Sequence, residues 1–239
     1  MAVIPLPMIY SMERTKIAGI QRIRTSTDGE GVTTLVVFMN CPLRCAYCLN
    51  PFTWDGSFKG SDITTEELYD ELKIDNLYFL ATGGGVMFGG GEPLLNHTFI
   101  KDFINTYRNT GWKFNMETSL SAKQEFIDEL TDYIDCFVVD SKDMNKERYE
   151  LYTKGDYDLF YNNLMHLKDK VGSERIIVRV PKIFDFHKND EYKENVALLK
   201  ELGFENIEVF DYVDPGNHKS VSKKSVENKN EFLEKIKSK

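Results

Sequence analysis

Cysteine is scarce, basic charge is outweighed and long apolar runs are missing, and each shortage removes a class of protein. Only four cysteines occur in 239 residues. Three of them, Cys41, Cys45 and Cys48, crowd into eight residues, and Cys136 stands apart in an apolar stretch. Secreted disulfide scaffolds space their cysteines differently. Lys and Arg number 30 against 38 Asp and Glu, for a net charge of -8. The chain therefore offers no electrostatic ground for a polyanionic partner, and nucleic acid is not expected as substrate. No apolar run reaches the roughly 18 residues of a membrane span, so no membrane association is expected. Residues 1–12 are apolar but short and broken by Pro5 and Pro7. With no charged segment ahead and no small-residue cleavage site, they do not read as a signal peptide, and a cytoplasmic location is expected. No low-complexity linker divides the chain, and 239 residues with 41% hydrophobic content suit one α/β domain.

Six β-rich runs alternate with helical patterns, at 35–39, 85–89, 113–119, 136–141, 175–180 and 206–212. Several are nearly continuous in Val, Ile and Phe, as strands buried on both faces are. Their alternation with helices predicts a parallel sheet with crossover connections. Helical apolar spacing covers 64–80, 97–110, 122–133, 146–171 and 191–202. In the second of these, Phe99, Phe103 and Tyr107 repeat at four-residue steps and form a core-facing stripe. Gly111, Gly172 and Gly203 follow three of the segments, where left-handed C-caps favour glycine. From Lys219 the chain is Lys-rich, and Phe232 and Ile236 are spaced as the contact face of a closing helix. The expected division is an extension over 1–34, a core over 35–215 and a C-terminal helix over 216–239.

The triplet reads Cys41-Pro-Leu-Arg-Cys45-Ala-Tyr-Cys48, directly after the first of these strands. Parallel α/β sheets carry their functional loops there. A closed structural zinc site needs four ligands, and no fourth Cys or His lies in this loop. A cubane held by three thiolates leaves one iron without a protein ligand, open to a small molecule. No second compact group of cysteines exists, so one cluster is the ceiling, and Cys136 reads as a small buried thiol. The histidines His97, His166, His187 and His218 share no metal-ligand spacing with the cysteines and are expected at the surface. Residues 83–93 hold six glycines but match neither nucleotide phosphate-loop pattern. Glycine at a strand end lets backbone approach a ligand closely, and Glu92 adds a carboxylate able to face a cationic amino group.

The C-x3-C-x2-C spacing, with Tyr47 before the last cysteine, resembles the signature of the radical S-adenosylmethionine superfamily. Gly90-Gly91-Glu92 resembles its second motif, which holds the amino group of that cofactor. The resemblance implies one [4Fe-4S] cluster on Cys41, Cys45 and Cys48, with S-adenosylmethionine chelating the open iron. There the reduced cluster donates one electron to the sulfonium, and the resulting 5′-deoxyadenosyl radical abstracts hydrogen. The resemblance narrows to the activating enzymes of glycyl radical enzymes through four stretches and Arg179. The stretches are Asp28-Gly-Glu-Gly31, Thr53-Trp-Asp55, Gly83-Gly-Gly-Val86 and Asp140-Ser-Lys142-Asp-Met-Asn145. By that resemblance Lys142 grips the cofactor carboxylate, and Asp140 and Glu117 belong to a monovalent cation site beside it. Tyr47 and Arg179 complete the cofactor pocket, and Asp28 contacts the incoming glycyl-loop peptide. Flavodoxin or ferredoxin is the implied reductant.

The chain departs from this family pattern at three places. Glu117-Thr118-Ser119-Leu120 stands where the family has Asp-Thr-Asn-Gly. Val213 replaces a histidine near the cofactor, and Thr33 replaces the arginine that follows the Asp-Gly-x-Gly turn. The implied fold is α/β, a partial six-stranded (β/α) barrel of the TIM type with the cluster loop at the C-terminal ends of its strands. A doubly wound open sheet is the alternative. The implied activity is hydrogen abstraction from a backbone glycine Cα of a partner protein. A radical enzyme acting on another peptide or a small molecule shares the same triplet, as does a non-catalytic electron-transfer or iron-sensing protein.

Overall fold

Successive side chains of a strand point to opposite faces, and in this chain the two faces of the sheet differ in kind. The computed structural model describes residues 13–25, 28–183, 187 and 190–212. The strands among them are β1 (Arg14–Arg24), β2 (Thr33–Phe38), β3 (Ser61–Thr64), β4 (Gly85–Gly90), β5 (Lys113–Thr118), β6 (Cys136–Asp140), β7 (Ile176–Lys182) and β8 (Ile207–Asp211). They form one sheet in the order β3-β1-β2-β4-β5-β6-β7-β8. From β2 to β8 the neighbours are parallel, whereas β1 is antiparallel to both β2 and β3. The helices are α1 (Thr65–Leu72), α2 (Asn76–Thr82), α3 (His97–Tyr107), α4 (Gln124–Asp128), α5 (Lys146–Thr153), α6 (Tyr157–Val171) and α7 (Tyr192–Glu201).

The parallel strands follow chain order without a reversal, so every right-handed crossover lays its helices on the same face. Packing agrees. Val36, Phe38, Val86, Phe88, Phe137 and Val139 share one core with Leu68, Phe99, Phe103, Leu164 and Leu199 from the helices. The opposite face carries a small cluster of Leu35, Val37, Met87 and Val138, with Cys136 partly buried against it. A doubly wound sheet would be covered by helices on both faces. One-sided cover is what a partial barrel requires, and because β3 and β8 do not pair, the wrap of the described residues stays open.

The six parallel strands are those the sequence predicts, with ends moved by no more than two residues. β1 and β3 are additions. Residues 14–24, expected in an extension, form the strand that bridges β2 and β3. The helical segment 64–80 divides at a 3-10 turn over Lys73–Asp75. Segment 146–171 divides where Lys154, at φ +57°, caps α5 in the left-handed region. Segment 122–133 shortens to α4. The Phe99 and Phe103 stripe is core, and Gly111, Gly172 and Gly203 have φ of +78°, +79° and +80°. The closing helix and Val213 lie outside the described residues. No helix among the described residues is long and apolar enough to cross a membrane.

The first half of the glycine run serves the fold. Gly83 ends α2 in the left-handed region, and the two glycines after it feed the chain into β4. A Cβ on Gly84 would lie 1.9 Å from the Val32 carbonyl oxygen. Gly84→Ala is therefore expected to destabilise the protein by about 1–3 kcal/mol, the usual cost of overpacking, read as a lower urea midpoint with an unchanged slope.

Candidate functional site

Beyond Phe38 the chain leaves the sheet, and backbone hydrogen bonds to distant segments hold it in place. Asn40 N–H donates to Thr53 O at 2.8 Å, Arg44 N–H to Thr153 O at 2.8 Å and Ala46 N–H to Tyr152 O at 2.9 Å. The cysteine loop is thereby pinned to the end of α5. Arg44 Nη1 donates to the carbonyls of Cys41 and Leu43, each at 2.7 Å, and its guanidinium lies 4.8 Å over the Trp54 ring. Trp54 Nε1–H in turn donates to Cys48 Sγ at 3.4 Å. Tyr47 packs against Tyr152 and Tyr212, with ring centres 5.9 and 5.2 Å apart.

Burial pushes the Cys41 thiol up to about 12, and the nearby Glu92 carboxylate adds to that. Burial raises Cys45 and Cys48 as well, and for Cys48 the Trp54 hydrogen bond works against it. Among the described residues, no three His, Cys, Asp or Glu side chains are grouped to hold a single metal ion. A cubane does not ask for that grouping, because each cysteine takes a separate iron. Iron displacing the thiol protons would supply the positive charge that burial leaves missing, so the donor set fits the cluster.

The second half of the glycine run lies against this loop. Gly91 N–H donates to Phe38 O at 3.0 Å and Glu92 N–H to Asn40 O at 2.8 Å. A Cβ on Gly91 would stand 2.1 Å from Asn40 O. Glu92 itself is fully buried and accepts four hydrogen bonds. They come from the Thr118 hydroxyl (2.6 Å), the Ser119 N–H and hydroxyl (2.9 and 2.6 Å) and Leu94 N–H (3.2 Å). Burial raises its pKa while these donors oppose the rise. Glu92 is not among the residues that line the cavity, whereas Gly90 and Gly91 are. The expected contact of its carboxylate with an amino group is therefore corrected: the backbone of the turn faces the cavity, and Glu92 is the strut behind it.

The cavity has a volume of about 750 Å³, a size suited to a cofactor. Its walls bring together Cys41, Cys45, Cys48, Tyr47, Gly90, Gly91, Glu117, Asp140, Lys142 and Arg179. The charges are already paired. Lys142 Nζ lies 2.7 Å from Asp140, and Arg179 lies 3.1 Å from Glu117 and 3.5 Å from Glu208. Burial acts against the charge of Lys142, but Asp140 outweighs it and the lysine pKa stands well above its usual value. Burial and Asp140 raise Glu117 against the pull of Arg179. Both carboxylates of the expected cation site thus meet protein cations. A lysine, two carboxylates and exposed glycine backbone in one cavity suit the charged amino and carboxylate ends of S-adenosylmethionine.

Two expectations fail here. Asp28 is 2% exposed and does not line the cavity. Arg24 grips its carboxylate with two bonds of 2.5 and 2.6 Å, and the Thr33 hydroxyl adds a third at 2.7 Å. The side chain set for an incoming peptide is therefore absent at Asp28, and Arg24 is the one in the wall. His187, expected at the surface, is buried. Its Nδ1 accepts from Ile183 N–H at 3.2 Å, and its Nε2 faces the fully buried Asp143 at 3.3 Å. A buried carboxylate needs donors, and no local pattern announces where they come from. His97 and His166 keep partial exposure beside Glu129 and Asp128, and His218 lies outside the described residues. Sequence reasoning misses Arg24 and Tyr152 altogether, since only tertiary pairing brings them to the site. Trp54 has a signal in the Thr53-Trp-Asp55 stretch.

A profile of the radical SAM superfamily matches residues 35–220. The chain belongs to the radical SAM superfamily. This radical SAM chain is 32% identical over 183 residues to the pyruvate formate-lyase-activating enzyme of Clostridium pasteurianum, covering 72% of this chain and 76% of that one. To the pyruvate formate-lyase 1-activating enzyme of Escherichia coli K12 it is 27% identical, over 82% of this chain and 80% of that one. Among solved structures, Streptococcus suis SuiB bound to S-adenosylmethionine superimposes with a TM-score of 0.55 over 84% of this chain. Identity there is 16% and this chain spans 46% of SuiB, so the likeness is one of fold, the partial barrel. Radical SAM proteins use a [4Fe-4S] cluster and S-adenosylmethionine, and the donors described above fit both.

Glu92 yields a test that needs no cofactor. Glu92→Ala leaves four donors unmet and should cost about 3 kcal/mol or more of stability in urea, whereas Glu92→Gln, which keeps an acceptor, should cost about 1 kcal/mol.

Proposed function

We propose that this radical SAM enzyme activates a glycyl radical enzyme by abstracting hydrogen from a backbone glycine Cα of that partner protein. The observation that carries the reading is the likeness to pyruvate formate-lyase-activating enzymes over 72–82% of this chain. Cys41, Cys45 and Cys48 would each hold one iron of a single cluster, and Gly90 and Gly91 would offer backbone to the amino group of S-adenosylmethionine. Lys142, now 2.7 Å from Asp140, would hold the cofactor carboxylate. Tyr47, Glu117 and Arg179 wall the pocket and keep water from it. The bound cofactors supply one-electron cleavage and a hydrogen-abstracting radical. A hydrogen atom moves as a unit, so no side chain has to serve as acid or base. Flavodoxin or ferredoxin is the reductant in this reading, the site of action is the cytoplasm, and neither membrane nor nucleic acid takes part. Residues 1–239 act as one domain.

Two measurements test it. Lys142→Ala should weaken S-adenosylmethionine binding about tenfold or more in calorimetry, the worth of one charged hydrogen bond, with iron content unchanged. Lower thermal stability with normal binding would instead mark Lys142 and Asp140 as a purely structural pair. Reduced enzyme with S-adenosylmethionine should give pyruvate formate-lyase, or the glycyl radical enzyme encoded beside this chain, an electron paramagnetic resonance doublet. Its main splitting should vanish with Cα-deuterated glycine, and spins should match released 5′-deoxyadenosine. If 5′-deoxyadenosine forms and no partner gains the doublet, the activase reading is wrong and the superfamily assignment stands.

A further inference from the structure

β1 breaks its own alternation just where it passes the cavity. Gln21 pairs with Leu35 and Arg24 with Thr33, so three steps on β1 face two on β2, which is a β-bulge. Inside it Ile23 has φ +58°, a conformation that a β-branched residue adopts only under constraint, and its side chain is 43% exposed. Regular alternation would turn Ile23 to the face of Gln21 and send Arg24 to the opposite face with Arg22. The bulge returns Arg24 to the face of Gln21. Arg22 stays on the helix side, where Glu71 and Asp75 each hold it at 2.7 Å, and Arg24 joins Gln21 in the cavity wall. The fold thus tolerates a strained backbone and an exposed isoleucine, and the result is a guanidinium in the lumen.

That guanidinium is set rigidly. Asp28 grips it through Nε and Nη2, and Gln21 Oε1 accepts from Nη1 at 3.1 Å. Asp28 is anchored by the Thr33 hydroxyl and by Asn115 Nδ2, which donates to its carbonyl at 3.1 Å. Arg24 pairs with the first residue of β2, and the cysteine loop follows the last. Five strand steps separate the two ends, roughly 16 Å. Lys142 and the glycine turn serve the charged groups of the cofactor at the cysteine end. An oriented donor at the other end suits a different ligand, one rich in carbonyl oxygen. A glycine-bearing backbone offers little else to recognise.

We propose that Arg24 is a substrate-recognition residue that binds a backbone carbonyl of the polypeptide segment carrying the target glycine, with Asp28 and the bulge as its positioning elements. The inference rests on the activase reading. In a titration of pyruvate formate-lyase, or the glycyl radical enzyme encoded beside this chain, against reduced holoenzyme, Arg24→Gln should raise the half-saturating partner concentration about tenfold or more. The maximal rate should stay within about threefold, and any loss of S-adenosylmethionine affinity should be much smaller than the loss of partner affinity. Arg24→Met combined with Asp28→Asn removes both charges, and should recover folding stability without recovering partner affinity. Recovery of partner affinity in that double variant would mean that Arg24 only neutralises Asp28, and would overturn the proposal. So would a loss of S-adenosylmethionine affinity in Arg24→Gln as large as the loss of partner affinity. A wild-type enzyme that gives no glycyl doublet defeats the activase reading and this inference together, whereas a wild-type doublet with an unchanged Arg24→Gln titration defeats this inference alone.

Discussion

Glu92 loses its water entirely, and a carboxylate in that position is tolerable only because four donors surround it. Those donors are what the site depends on. Two residues at the end of β5 supply three of them and the turn after β4 supplies the fourth, while the backbone of Glu92 itself bonds to Asn40 beyond β2. One residue therefore ties together the ends of three neighbouring parallel strands. Thr118 and Ser119 line the cavity from this fixed position, and so do Gly90 and Gly91. The pocket is shaped from behind, by a side chain that never faces it.

The two faces of the sheet solve opposite problems. The helix side is dry, and there apolar volume decides. The lumen side collects Glu117, Asp140, Lys142 and Arg179, with Arg24 and Asp28 farther along. An unpaired charge in so enclosed a place costs several kcal/mol, so each is matched by another of opposite sign. A ligand entering this lumen does not find bare charges. It must offer Lys142 a better partner than Asp140, which favours molecules whose charged oxygens arrive in the right place and penalises those that merely fit the volume.

Three strands of the parallel core, β2, β6 and β7, are legible in the sequence because strands covered on both faces by protein are written as nearly unbroken apolar runs, whereas β4 is half glycine and β5 and β8 alternate. Continuity of that kind is absent from β1, Arg-Thr-Lys-Ile-Ala-Gly-Ile-Gln-Arg-Ile-Arg, whose charged residues and bulge hide a strand lying near the sheet edge. β3 has four residues and no pattern to detect. The cysteine triplet is legible because its ligands are local. Arg24 is not, because its value comes from a bulge that reverses the direction its position in the strand would give. Asp28 misleads for a related reason: its neighbours in space, Arg24 and Thr33, come from two different strands, and together they turn an apparent contact residue into an anchor.

The hydrogen bonds from Arg44 and Ala46 to the end of α5 join the cysteine loop to a segment about a hundred residues away, and none of them involves a metal. In a zinc finger the metal itself holds the ligand loop. Here the barrel also holds it, through backbone bonds whose acceptors sit at the end of a helix that carries none of the three cysteines. A residue inserted into or deleted from that helix would shift Tyr152 and Thr153 and, through them, the loop. The geometry of the triplet is thus guarded from a distant part of the chain.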